Sequence, residues 1–317
     1  MQIIPICFTF DNNFVIPGAV ALYSLLEYAN KQYFYKLYIL HTDITDKSQN
    51  QLHKAIDCYS DYSSLEFINV KKFHENLNWS SLKSKQHYSK EIYNKLILDQ
   101  LFPQYNRILC SDVDVIFKGD ISASFFMFPN DTFYVAGIKS MTNNDITDWY
   151  GDKFTPHECE ILKDGIGAGY ILLNLEQIRK DKIGFTMCTT YQENLHRLIQ
   201  PEQDVINLCC YPKINYMPYN IMVCTYYYSK RTEKMHFRAD VNLQEILNTP
   251  VQVHYAGYEK PWNNPFCRKS GMWFKTLKDV GLVCEYLKKQ PFYLKHRIKR
   301  YNIARFLSKL QSIFVNQ

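Results

Sequence analysis

Asp112 and Asp114 stand two residues apart in Cys110-Ser-Asp-Val-Asp-Val-Ile-Phe117, and this pair is the sequence's most chemically suggestive feature. Alternate residues of a strand share a face. Arg107–Phe117 reads as a strand running into an acidic turn, and on a strand the two carboxylates would face the same side. Like charges on a nearly apolar strand repel and lose hydration unless a cation compensates. A divalent ion compensates directly, and oxygen ligands suit Mg²⁺ or Mn²⁺, which also bridge diphosphate oxygens. Alone, an Asp-X-Asp is a weak signal, because surface loops contain it by chance.

Three further segments carry polar groups in chemically useful patterns. In Val253-His254-Tyr-Ala-Gly257-Tyr-Glu-Lys260-Pro-Trp262, His254 ends an apolar run. Such a histidine is by default a packing or capping residue. As a nitrogen ligand it would favour Mn²⁺ over Mg²⁺. Gly257 would let backbone approach a phosphate closely, and Lys260 offers a point charge to a diphosphate or simply a solvated one. The glycines of Gly165-Ile-Gly-Ala-Gly169 either admit a sugar to the backbone or form a tight turn before a strand. Glu202, Gln203 and Asp204 open a helix, where carboxylates also serve as caps.

The elements that must position these residues alternate. Ile3–Phe10 reads as a buried strand, Pro17–Asn30 as a helix, Phe34–His41 as a strand, Thr45–Cys58 as a helix capped by Thr45 or Asp46, and Leu65–Val70 as a strand. His87–Phe102 has helical apolar spacing and ends before Pro103. Further strands are expected at Phe133–Ile138, Tyr170–Leu175 and Val251–Tyr255, and a short helix at Glu202–Cys210. This order implies an α/β fold, a mostly parallel sheet with helices on both faces. In such sheets ligands bind beyond the carboxyl ends of the strands.

Taken together, these segments resemble family 8 glycosyltransferases, the retaining GT-A enzymes that include bacterial lipopolysaccharide galactosyl- and glucosyltransferases and glycogenin. The resemblance runs from about Ile3 to about Trp262. It rests on Thr9-Phe-Asp11-Asn-Asn13-Phe, Ser111-Asp112-Val-Asp114, Gly167-Ala168-Gly169-Tyr-Ile-Leu-Leu-Asn174-Leu, Glu202-Gln203-Asp204 and His254-Tyr-Ala-Gly257-Tyr-Glu-Lys260-Pro-Trp, in that order. It implies a GT-A fold with a single Rossmann-like sheet, and transfer of galactose or glucose from a UDP-sugar to a saccharide acceptor, with retained anomeric configuration. It also implies that Asp112, Asp114 and His254 bind Mn²⁺, with Mg²⁺ as the alternative. Asp11 and Asn13 would contact the uridine, and Gly257 and Lys260 the phosphates. Lys95, Val113, Gly167 and Ala168 would complete the donor site. Glu202, Gln203 and Asp204 would supply the catalytic side chains, Gln203 nearest the reacting face of the sugar. Two departures bear on the donor. The family's usual Arg before the acidic strand is Lys95, which keeps the charge without the bidentate fork. Its usual Phe-Asn-Ala-Gly is Ile166-Gly167-Ala168-Gly169, which lacks the amide side chain.

Composition sets the wider frame. The 317 residues are 46% hydrophobic and 21% charged, enough for one large domain with a full core. The 25 Tyr and 20 Phe serve mainly as core rings. The N-terminus lacks a basic leader and cleavage site, and no run reaches ~18 apolar residues. The ten cysteines show no CxxC pairing and several lie in apolar runs, so reduced thiols and a cytoplasmic protein are expected. No acidic residue follows Glu285, whereas Lys288, Lys289, Lys295, Arg297, Lys299, Arg300, Arg305 and Lys309 do. The expected division is a catalytic domain over 1–285 and a basic tail over 286–317. In the tail Ile303, Phe306, Leu307, Leu310 and Phe314 form the stripe of an amphipathic helix. That predicts peripheral binding to the anionic inner face of the membrane, near a lipid-linked acceptor, rather than to nucleic acid. Two rival functions use the same residues: a metal-dependent nucleotidyltransferase, and a non-catalytic sugar-nucleotide-binding protein.

Overall fold

The computed structural model describes residues 1–77, 90–129, 132–143 and 150–295. Among these residues, ten strands form two sheets. The main sheet has the order β3-β2-β1-β4-β7-β6-β8, built from β1 (Gln2–Thr9), β2 (Tyr33–His41), β3 (Ser63–Asn69), β4 (Arg107–Ser111), β6 (Val135–Lys139), β7 (Ile166–Asn174) and β8 (Ile214–Tyr216). Six strands run the same way, and β7 alone runs against β4 and β6. The smaller sheet has the order β5-β10-β9: β5 (Val115–Phe117), β10 (Gln252–His254) and β9 (Met222–Cys224).

The alternation of buried side chains explains why helices cover both faces. Ile4, Ile6 and Phe8 of β1, Leu109 of β4, and Tyr170 and Leu172 of β7 point into one apolar cluster. That cluster is closed by α1 (Val15–Glu27), α2 (Asp46–Ile56) and the Ser270–Asp279 helix. Their neighbours Cys7, Ile108, Cys110, Ile171 and Leu173 enter a second cluster beneath the Leu175–Lys180, Ile183–Asn194 and Pro201–Cys210 helices. Each such aliphatic side chain is worth about 1.5–3 kcal/mol when fully buried. Sandwiched between the main sheet and β5, α1 is buried on nearly all sides, and Gly18 leaves room for the Phe10 ring, which a Cβ would approach to 2.7 Å.

Most expected elements are present with shifted ends. The first helix begins two residues before Pro17, and the second starts after a Thr45 cap that accepts from Ser48 N. Three readings are corrected. Arg107–Phe117, expected as a strand running into an acidic turn, does turn at the acidic pair but holds two strands, since the chain breaks at Asp112 and crosses from β4 in the main sheet to β5 in the small one. The glycines before Tyr170 form no turn; Gly167 and Gly169 lie within β7. The described part of His87–Phe102 is a 3-10 stretch, Lys90–Ile97, followed by one α turn, Leu98–Leu101. An expected domain boundary after Glu285 falls inside a helix spanning 283–295. The amphipathic stripe from Ile303 lies outside the described residues, and among those described no helix is long and apolar enough to cross a membrane.

Candidate active site

Because β7 is antiparallel, its glycine-rich beginning lies at the rim where β1, β4 and β6 end. Ser111 pairs with Tyr170, and Lys139 with Ile166. Asp112 N donates to Gly169 O at 2.9 Å, one rung beyond the β4–β7 ladder. The chain then bends, Asp114 O accepts from Tyr255 N at 2.8 Å, and β5 starts opposite His254. The junction is pinned from below, where Gln252 Nε2 donates to Ser111 Oγ at 2.8 Å. A break between sheets, rather than an alternating strand, therefore delivers both aspartates to one place.

His254 Nε2 lies 3.2 Å from Asp114 Oδ1 and 3.7 Å from Asp112 Oδ2. One ligand atom from each of the three residues falls within 4.8 Å of the others. Two carboxylates and one imidazole nitrogen form a donor set that fits a divalent ion. Gly169 makes this approach feasible, since a Cβ there would stand 2.8 Å from His254 Cε1. Met222 of β9 packs on the same two glycines, lying 3.2 Å from a Cβ at Gly167 and 3.0 Å from one at Gly169.

Two lysines balance the acidic pair. Lys95 is 1% exposed; its Nζ lies 2.6 Å from Asp112 Oδ1, 2.8 Å from Ala168 O and 3.9 Å from Glu202 Oε1. Burial would lower the Lys95 pKa, but the Asp112 and Glu202 charges outweigh it and raise it. Lys260 Nζ bonds Asp114 Oδ2 and Tyr255 O. Burial works against ionisation of Asp114 as well, yet Lys260 and His254 hold it far below the carboxylate range. Burial pushes His254 down, and Asp114 reverses this, lifting it to about 10. Gly257, at φ +89°, makes the turn between His254 and Lys260 with a conformation that suits glycine.

The three residues that open the Pro201–Cys210 helix do different things. Gln203 Oε1 accepts from Ala168 N at 3.0 Å, and its amide nitrogen donates to Gln200 Oε1. Glu202 is 8% exposed with Oε2 lacking a hydrogen-bond partner, and burial, partly opposed by Lys95, pushes it up to about 7. Asp204 accepts from Ile199 N at 2.8 Å, Gln200 N at 2.9 Å and Tyr150 Oη at 2.8 Å, so its carboxylate is committed to the helix entry. Val113 is a buried member of the α1-side cluster.

One strand over, β1 ends at the same rim, where Phe8 pairs with Ser111. Asp11 Oδ1 accepts from Asn13 N at 2.8 Å and starts a 3-10 turn, Asn12–Phe14. Thr9 is held by Asn94 Nδ2 at 2.9 Å, and Asn94 in turn by His74 at 2.6 Å. The Phe14 ring meets Trp262 edge-on at 6.0 Å, linking this loop to the Lys260 segment. The structure thus gathers Asp11, Asn13, Lys95, Asp112, Asp114, Gly167, Ala168, Glu202, Gln203, His254, Gly257 and Lys260 along one rim. Met222 and Gln252 escaped the sequence reading, as an apolar residue and a polar one in short strands carry no distinguishing pattern.

The chain is similar to known proteins in sequence and in fold. The sequence model of Glycosyl transferase family 8 matches residues 5–265. A lipopolysaccharide 1,2-glucosyltransferase from Escherichia coli is 21% identical over 279 residues, covering 86% of this chain and 76% of its own. Glycosyltransferase GlyF from Streptococcus pneumoniae serotype 4 (strain ATCC BAA-334 / TIGR4) is 22% identical over 253 residues, 80% of this chain and 56% of its own. Among solved structures, the galactosyltransferase LgtC in complex with donor and acceptor sugar analogues superposes with a TM-score of 0.68 at 16% identity. That match covers 90% of this chain and all of LgtC. The bifunctional glycosyltransferase WbbM gives a TM-score of 0.74 at 19% identity; this chain is 91% covered and spans about half (52%) of WbbM. The structural likenesses establish a GT-A-type fold, and the sequence match over most of its length makes this chain a member of glycosyltransferase family 8.

Proposed function

We propose that the protein is a retaining hexosyltransferase, moving galactose or glucose from a UDP-sugar to a saccharide acceptor with Mn²⁺ as cofactor and Mg²⁺ as the alternative. The observation that carries this reading is the convergence of Asp112, Asp114 and His254 beside the glycine-lined start of β7. A divalent ion there would supply Lewis-acid stabilisation of the charge that grows on a departing diphosphate. Lys260 and the Gly257 turn lie next to Asp114, where they would meet phosphate oxygens; Asp11 and Asn13 would receive the uridine. Ala168, Glu202 and Gln203 would line the sugar.

Retention is best served by same-face attack through an oxocarbenium-like state. The bond from the anomeric carbon to the phosphate oxygen breaks with its electron pair leaving on UDP. The acceptor hydroxyl oxygen then bonds to the same face, and its proton passes to the departing phosphate oxygen. Asp204 is already engaged through both carboxylate oxygens, and Gln203 is a neutral amide turned to Ala168 N. That leaves Glu202 as the one carboxylate of the trio available for a covalent route, and isolation of a glycosylated Glu202 peptide would reverse this assignment.

The relatives' names suggest lipopolysaccharide or another cell-surface glycan as the product. The 286–317 tail would hold the enzyme at the inner, cytoplasmic face of the membrane. Its described beginning supports this, because the 283–295 helix exposes Leu287 (59%) and Phe292 (41%) beside Lys288 and Lys295. The test of function is UDP release from a panel of UDP-sugars with Mn²⁺, for the native chain and for Asp112→Ala and Asp114→Ala. Turnover should fall at least about 100-fold in each variant. Full turnover in either one, or pyrophosphate release from a nucleoside triphosphate instead, would replace the proposal.

A further inference from the structure

The 283–295 helix has an inner face as well as an outer one, and the inner face reaches the nucleotide end of the site. Leu282, Tyr286 and Tyr293 are buried at 9%, 4% and 5% exposure, and Lys289 between them is half-buried. Their spacing of i, i+4, i+7 and i+11 is that of one helical stripe. The stripe continues a file of rings that starts on the loop after β1. Phe14 contacts Trp262 at 6.0 Å, Trp262 contacts Trp273 at 5.8 Å, and Trp273 contacts Tyr286 at 5.7 Å. Tyr286 stacks on Tyr293 at 6.3 Å and 20°. The file closes on its origin, since Tyr293 Oη donates to the main-chain oxygen of Asn13 at 3.2 Å across 280 residues of sequence.

Asn13 is therefore held from two sides. Its N–H is taken by Asp11 Oδ1 at 2.8 Å and its C=O by Tyr293, while its side chain remains exposed at the rim. Lys289 is close enough to Asp11 for that charge to act on it, adding a second link between the helix and the loop. A three-residue 3-10 turn has little rigidity of its own, so an external tether decides how well it is placed.

We infer that Tyr293 is a positioning residue of the donor site: by fixing the Asn13 carbonyl it sets the Asp11–Asn13 loop in the geometry that receives the nucleoside. This rests on the proposed reading of that loop as the uridine contact. It gives the first segment of the basic tail a role in donor binding separate from any membrane role. The ring of Tyr293 supplies packing, and the hydroxyl supplies placement.

Tyr293→Phe in the full-length chain separates the two, because it keeps the ring and removes one hydrogen bond. UDP affinity by calorimetry with Mn²⁺ should weaken about 2- to 10-fold, the range for one net hydrogen bond. KM for the UDP-sugar should rise in step, with kcat and Tm unchanged. The preference for UDP over GDP should narrow, which loss of packing alone would not cause. Tyr293→Ala should weaken UDP further and lower Tm. Equal UDP affinity and KM in native and Tyr293→Phe proteins would overturn the inference, as would a fall in kcat and Tm at constant KM. A native chain that fails to bind UDP at all would instead remove the uridine reading, and this inference with it.

Discussion

Gly169→Ala is a one-methyl perturbation aimed at the geometry of the acidic cluster. A Cβ at this position would stand 2.8 Å from His254 Cε1, 3.0 Å from His254 Nδ1 and 3.0 Å from Met222 Sδ. Ordinary contact begins near 3.4 Å, so the imidazole must retreat by about 0.6 Å. Methionine can bend away, but the ring has no such freedom. The His254 backbone is fixed between Val115 and Cys224 in β10, and the Gly169 carbonyl is fixed by Asp112 N. The shift is therefore taken up as displacement of Nε2 relative to Asp112 and Asp114. Metal sites tolerate about 0.2 Å in ligand distance, and the expected displacement is about three times that. Loss of a well-placed ligand geometry typically costs about 10- to 100-fold in metal affinity, equivalent to about 1.4–2.7 kcal/mol. Free Mn²⁺ measured by electron paramagnetic resonance during titration reads the affinity directly, and turnover lost at low Mn²⁺ should return in part at high Mn²⁺. A double-mutant cycle with His254→Ala sharpens the test, because the methyl has little left to displace once the ring is gone. Two results would refute the reasoning. One is a Gly169→Ala protein that binds Mn²⁺ within about twofold of the native chain. The other is a Gly169→Ala effect that persists undiminished in the His254→Ala background.

Glu202 gives a pH prediction. Its folded-state pKa is raised from the ordinary 4.5 to about 7 by burial. It thus contributes stability that is fully present below about pH 4.5 and lost as pH rises through about 7. Between those limits the native chain should lose about 3 kcal/mol relative to Glu202→Gln, read by urea unfolding at matched pH values. A pH-independent difference would show that the carboxyl is solvated. For the tail, Leu287→Ser combined with Phe292→Ser should reduce sedimentation with phosphatidylglycerol vesicles, since both side chains are on the exposed face. Unchanged sedimentation would move the membrane contact away from this helix.

Most of the main sheet was legible in the sequence because strands such as β1 and β2 are largely apolar runs of β-branched and aromatic residues, and α2 carries its own cap at Thr45, whereas the three-residue β8 gave no such signal. Ile4, Ile6 and Phe8 on one side and Cys7 on the other need nothing beyond a period of two to place helices on both faces. The acidic pair was legible as a pair, but not the reason it converges. An alternating strand and a break between sheets both bring Asp112 and Asp114 together, and only distant pairing partners, such as Gln252 with Ser111 141 residues away, decide between them. The same holds for the glycines of β7. Their spacing says that something approaches the backbone, whereas the identity of what approaches, His254 and Met222, is long-range information. Asp204 illustrates the reverse limit. Its type and position at a helix start are as suitable for catalysis as for capping, and the three hydrogen bonds it accepts are what commit it to the second.

The two lysines at the acidic pair are alike in charge and unlike in freedom, and the difference gives the site its direction. Lys95 cannot leave Asp112 without also stranding the Ala168 carbonyl and approaching Glu202 unpaired, all at 1% exposure. An unmade bond of that kind costs more than the bond contributes when formed. Lys260 sits at the edge, its side chain 14% exposed, three residues after the positive-φ turn at Gly257. Its carbonyl partner Tyr255 O belongs to its own loop, so it can change partners without opening the core. A divalent cation competing for the pair would thus meet one fixed and one exchangeable counter-charge. The exchangeable one, if released from Asp114, would be a free ammonium beside the place proposed for a diphosphate. Exclusion of Lys95 from this exchange would keep Asp112 in position throughout, and with it the Gly169 rung and the Ala168 contact, on the side proposed above to receive the sugar.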